Sequence, residues 1–207
     1  MTAAIWAIAY DILDANRASY LAWFHHDHIA EKLAREGYEW AAHFEGAAHQ
    51  GTADARGYLA LFGGRSTAIF LNPSPAQLKL TQDDITRDMI ALRRPAMMSI
   101  LTKEWIAPDD PATPDHDDNI EFLALDSANE DMAVGAWSVQ DLMPTVTAST
   151  GRMAKLISVT GAPHHVALCQ PATPQIAEID DAISRLRATA KTVTIAAHWT
   201  GRRIWPA

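Results

Sequence analysis

Residues 20–46, "YLAWFHHDHIAEKLAREGYEWAAHFEG", decide how this chain is read. Leu21, His25, His28, Ile29 and Leu33 recur at intervals of three and four, the stripe of a helix with one inward face. Gly37 supplies the left-handed stop that ends such a helix, and 38–45 reads as a strand. The stretch concentrates titratable rings. His25, His26 and His28 lie on the helix, with Asp27 among them, and His43 follows on the strand.

Working outward, 5–12 is an apolar run bounded by polar residues, with Trp6 and Tyr10 in its alternation, and is a strand. Asp14 or Asn16 is the expected cap of the helix, which runs to about Arg35. Downstream, 58–62 and 97–106 are strands. Between them 67–92 is helical in pieces, broken by Asn72, Pro73 and Pro75. The segment 107–119 is rich in Pro and Asp and has almost nothing to bury, which marks a linker.

Beyond the linker the order recurs. Strands are expected at 120–126, 152–160, 164–170 and 192–199, with helices at 133–149 and 174–190. Pro144 must bend the first of these helices or mark its restart. Trp23 and Gly37 are spaced as Trp137 and Gly151 are, and Asp27 then falls on Asp141. "YLALF" matches "HVALC", and Trp105 matches Trp199. The expected fold is α+β: tandem ferredoxin-like (split βαβ) repeats at 1–106 and 120–207. Each repeat would leave one apolar sheet face to be covered by the other, which allows a monomer with an internal pseudo-dimer or a homodimer.

The chain has 207 residues, of which 48% are hydrophobic and 20% charged, enough for a substantial core. A formal charge of −8 without a basic run disfavours nucleic acid and anionic membranes as partners. Lone Cys169, no basic leader and no long apolar run point to the cytoplasm.

The segment "WFHHDHIAEKLAREGYEWAAHF" resembles the helix-to-strand signature of the EthD-like branch of the dimeric α+β barrel superfamily. Trp23, Asp27, His28, Glu31, Lys32, Leu33 and Gly37 carry the resemblance, with Ala30 and Glu36 where that family often has prolines. "GYLALF" and "LTKEW" are similar to its later strands. The resemblance implies two half-barrels whose sheets pack together. It also implies a mixed list of activities: cyclases, isomerases, dehydratases, heme-dependent or cofactor-free oxygenases, and members without a known reaction.

A histidine in an apolar pocket can exchange protons at neutral pH. His28, His25, His43 and Tyr10 are therefore the expected acid–base groups. Trp6, Tyr58, Trp40 and Tyr38 are the expected lining for a small apolar or aromatic metabolite. This pattern needs no cofactor. It supports a lyase, isomerase or cyclase, with an oxygenase or a non-catalytic binding protein as alternatives. His28 could equally serve to fix helix to sheet. A metal held by His25 and His28 would need further ligands, for which His43 or Glu45 on the adjoining strand is the candidate. Val139 and Leu142 stand where the repeat alignment puts His25 and His28, so a single site is expected, in the first half.

Overall fold

The computed structural model describes residues 3–108, 119–148, 151–171 and 175–206. Its contacts group the chain into two units, Met1–Thr102 with Arg203–Ala207, and Lys103–Arg202. Most of the expected linker, 109–118, lies outside the described residues.

The first unit begins with β1 (Ala4–Leu13), followed by one long helix. That helix is α-helical over α1 (Asp14–Trp23), π-helical over Phe24–His28, and α-helical again over α2 (Ile29–Leu33). Leu13, not Asp14 or Asn16, is the cap residue, and no side chain caps the helix. The Asp14 N–H instead donates to the Asp54 carbonyl at 2.9 Å, and the Asp14 carboxylate sits in the first turn, where the helix dipole favours it. Strands β2 (Tyr38–Gly46) and β3 (Ala55–Gly64) follow, then three short helices, α3 (Ala68–Leu71), α4 (Pro75–Lys79) and α5 (Asp84–Ala91). Ser74 and Gln77 form a capping box on α4, and Asp83 caps α5. Strand β4 (Arg94–Ala107) completes an antiparallel sheet in the order β4-β1-β3-β2.

Strand alternation sorts this sheet. Trp6, Ile8 and Tyr10 of β1 share a core with Tyr58, Ala60 and Phe62 of β3 and with Tyr20, Phe24 and Ile29 of the helix. The pairing register slips between Tyr38 and Trp40. One extra residue turns Tyr38 to the helix side, its ring 5.0 Å from that of Phe70, and sends Trp40 over Gly63 on the opposite face. Asp11 is fully buried and accepts from the backbone N–H groups of His49 and Gln50 at 2.7 and 3.0 Å, so it pins the β2–β3 loop to β1.

The second unit has the same order of elements. β5 (Asn119–Ser127) leads into a helix made of α6 (Asp131–Trp137), a π-helical turn Ser138–Leu142 and α7 (Met143–Thr147). Pro144 falls directly after the π-helical turn, at the first positions of α7. β6 (Arg152–Ser158), β7 (His165–Gln170), α8 (Ile176–Thr189) and β8 (Val193–Trp205) follow, in an antiparallel sheet ordered β8-β5-β7-β6. Its core joins Leu123 and Leu125 to Trp137, Leu142, Ile183 and Leu186. Among the described residues no helix is long and apolar enough to cross a membrane.

Gly37 ends the first helix at φ +90°, and a Cβ there would stand 2.8 Å from Ile69 Cγ2. Gly37→Ala is expected to destabilise the protein by about 1–2 kcal/mol, with Gly37→Asn losing less, because Asn tolerates left-handed backbone. Urea unfolding of the two variants checks this, and equal loss in both would argue that crowding rather than backbone hand governs the position.

Candidate active site

The helix face of the first sheet and the helices packed on it enclose a cavity of about 410 Å³. Trp6, Ile8 and Tyr10 of β1 form one wall, and His28 and Lys32 of the long helix another. Arg93, directly before β4, and 95–98, within the first half of β4, close a third side. Leu78 and Ile90 add apolar surface, and Lys79 and Gln82 stand with them. The volume suits a small organic molecule. No carboxylate lines it, whereas Lys32, Lys79 and Arg93 do.

The π-helical turn sets the histidines. Its wide turn, closed by Ile29 N–H donating to Phe24 C=O, changes the phase between His25 and His28. His28 is 4% exposed and lines the cavity, with its ring 4.6 Å from Trp23 and 5.5 Å from Phe24. His25 turns toward β2, where its Nε2 lies 2.9 Å from His43 Nδ1. His43 Nε2 in turn lies 2.9 Å from Tyr10 Oη. The two residues expected on one stripe therefore serve different places.

Tyr10, His43 and His25 form one continuous chain. Tyr10 and His43 are fully buried, and His25 is partly exposed. Burial holds the His43 imidazolium well out of reach, and the neighbouring His25 and Arg93 add to the effect. Burial likewise raises the Tyr10 phenol well above its ordinary value. A neutral His43 has one N–H, so the chain has two polarities. In one, Tyr10 donates to His43 and His43 to His25. In the other, His25 donates to His43 and His43 to Tyr10, which frees the Tyr10 hydroxyl hydrogen for another acceptor.

Aromatic packing fixes this chain. Tyr58 stacks on Tyr10 and His43 with centroids 5.8 and 5.1 Å away. Its hydroxyl donates to Glu45 at 3.2 Å and accepts from Arg17 Nε at 3.0 Å, and Arg17 Nη2 grips both Glu45 oxygens at 2.8 and 2.6 Å. Tyr58 thus buttresses the chain and does not line the cavity. Tyr38 packs on Phe62 and Phe70 instead, and Trp40 lies on the other sheet face. Of the four expected lining residues only Trp6 lines the cavity.

Arg93 escaped the sequence reading. It sits in "LRRP", directly before β4, with its guanidinium carbon 4.7 Å above the Tyr10 ring, 5.4 Å from Phe24 and 5.6 Å from Tyr20. Arg93 Nε donates to Tyr20 Oη at 2.7 Å. Three residues that line the cavity each carry a buried polar atom without a protein partner: Trp6 Nε1, His28 Nδ1 and Arg93 Nη2.

In the second unit Leu142 is buried and Val139 exposed. Yet Lys155, 1% exposed, lies 3.0 Å from His165 Nδ1 and 3.2 Å from Glu104, and His165 Nε2 lies 3.0 Å from Asp131. Inward polar groups are therefore present in this half, at positions other than Val139 and Leu142. Of the adjacent histidines in "HHVALC", His165 is the buried one and His164 is exposed. Among the described residues no group of three or more His, Cys, Asp or Glu converges as a metal site.

Neither a protein-family model nor a curated protein matches the chain. Solved structures do. The chain superimposes on a "Putative Chlorite dismutase" with a TM-score of 0.61 at 15% identity, over 98% of this chain and 95% of that one. It matches a "Putative monooxygenase" from Fusobacterium nucleatum with a TM-score of 0.54 at 11% identity, over 98% and 92%. A heme-binding protein from Thermus thermophilus gives 0.55 at 9%, over 98% and 92%. At these identities the likeness is one of fold, the dimeric α+β barrel type.

Burial first, then Arg93, Lys32 and Arg35, lower the His28 pKa from 6.5 to about 2. The unfolded chain therefore binds a proton below about pH 6.5 that the folded protein refuses. Stability is expected to be full above that value and to fall as the pH drops below it. His28→Asn should make the decline between pH 6.5 and 5 shallower by up to one proton. Urea midpoints across that range check this, and an unchanged slope would contradict a buried neutral His28.

Proposed function

We propose that the first unit is a cofactor-free acid–base enzyme of lyase, isomerase or cyclase type. Its substrate is a small apolar or aromatic carbonyl compound in the sheet–helix cavity. The observation that carries this reading is the Tyr10–His43–His25 chain, which links a cavity wall to a partly exposed imidazole. We also read the chain as an EthD-like member built from two repeats. In support, both units run strand-helix-strand-strand-helix-strand, and their π-helical turns start directly after Trp23 and Trp137.

In this reading His28 takes a proton from the carbon next to the substrate carbonyl, and the electron pair moves onto the carbonyl oxygen. Tyr10 donates to that oxygen. His43 then supplies Tyr10, and His25 supplies His43, so the proton comes from solvent. Return of the His28 proton to another carbon gives isomerisation. Loss of a leaving group gives elimination, and attack on a second carbonyl gives cyclisation. The His28 imidazolium is opposed by burial and by Arg93 and Lys32. Negative charge growing on the substrate offsets those cations, so His28 becomes basic only with substrate in place. Trp6 contacts the substrate, while Tyr58, Tyr38 and Trp40 support the scaffold.

The names of the solved neighbours include heme and oxygen chemistry, and whether a heme fits here depends on the hydrogen bonds of the inward histidines. A ligating imidazole almost always donates its second N–H to a carboxylate or carbonyl. His28 Nδ1 has no hydrogen-bond partner, and its nearest carboxylate, Glu31, is 4.0 Å away and exposed. Both nitrogens of His43 and both of His165 are engaged within the protein. These residues do not fit a histidine-ligated heme, and no step is routed through one.

Deuterium uptake by the benzylic carbon of phenylacetone in D₂O, followed by NMR, tests the reading. The protein should accelerate exchange, and Tyr10→Phe and His28→Asn should each lower the rate on the order of a hundredfold. Exchange at the background rate, or exchange indifferent to both substitutions, would remove the acid–base assignment.

A further inference from the structure

We infer that the cavity selects a carboxylate-bearing aromatic or apolar substrate, with Arg93 as the principal anion anchor. This deepens the acid–base reading, since it names the substrate class of the same site.

The first observation is charge. The chain is acidic, at −8, yet the cavity is lined by Lys32, Lys79 and Arg93 and by no acidic residue. Lys32 has one carboxylate nearby, Glu31 Oε1 at 3.5 Å, which does not line the cavity. Among the described residues no carboxylate pairs with Arg93, whose guanidinium donates through Nε to the Tyr20 hydroxyl. A largely enclosed guanidinium without a counter-ion is costly unless an anion arrives.

The second observation is hydrogen-bonding capacity. Arg93 Nη2 and Trp6 Nε1 are obligate donors, both buried, both without a protein partner, and both on residues of the cavity wall. Unmade bonds from such groups weigh against the fold. A carboxylate offers two oxygens to meet them, and charge-assisted bonds of this kind are the strong ones. The rest of the wall, Ile8, Leu78, Ile90 and Met97, is apolar and takes the body of the ligand. An amide or alcohol of the same shape would fill this space but leave the guanidinium charge uncompensated.

Binding of phenylacetate and of its neutral isostere phenylacetamide to the full chain, measured by calorimetry and by the Trp6 indole resonance, tests the inference. Phenylacetate should bind on the order of tenfold tighter, with the Trp6 resonance shifting on binding. Arg93→Gln should abolish the preference. Arg93 stacks on three rings, so that variant can lose its fold; Lys79→Gln, at an exposed position, keeps it and should shrink the preference. Equal affinities, no binding of either probe, or a preference that survives in folded Arg93→Gln would overturn the inference. Phenylacetone exchange is read separately. Exchange without a carboxylate preference defeats only the anion anchor, and a preference without exchange defeats only the acid–base reading.

Discussion

The exclusion of water from the rings of Tyr10, Tyr20, Phe24 and His43 is the constraint on which the site depends. These rings pack edge and face within 4.6 to 6.4 Å of one another, with Arg93 laid across three of them. In that setting an imidazolium or a phenolate is expensive, so His43 and Tyr10 stay neutral, and a chain of neutral hydrogen bonds can reverse its polarity without creating a buried charge. The guanidinium is the exception. Its charge persists at any physiological pH, and the faces of three aromatic rings partly stabilise it.

The π-helical turn distributes the histidines between two tasks, His28 to the cavity and His25 to the end of the chain. It is not by itself a sign of function, because the second unit has the same turn at Ser138–Leu142 and no histidine in it. What distinguishes the first unit is what the turn carries. The second unit places a different inward polar network, Lys155 with His165, on the paired strands β6 and β7.

Much of the fold was legible in the sequence. Alternation in 5–12 and the stripe at Leu21, His25, His28, Ile29 and Leu33 identified the elements, because burial on one face leaves a period that survives in the residues. Some strands extend beyond their apolar runs, most of all β8, which continues six residues past Trp199, through the polar "TGRR" to Trp205, since backbone pairing does not require apolar side chains. Trp40 lies on the face opposite Tyr38 because one bulge inverts parity, and nothing in "GYEWAA" announces it. Of the site, His28, Tyr10 and Trp6 line the cavity as expected, and His25 and His43 join Tyr10 in a chain. Arg93 was not legible: it stands 83 positions after Tyr10, and only the antiparallel pairing of β1 with β4 brings the two together.

The central claim is that Tyr10, His43 and His25 form a neutral chain ending at the cavity. The most direct test is nitrogen-15 NMR of the histidine rings at about pH 5.5, where an unperturbed imidazole is mostly charged. The account predicts that His43 stays neutral, with one pyrrole-type and one pyridine-type nitrogen, and that Tyr10→Phe alters both shifts. An imidazolium signature for His43 at that pH would contradict it.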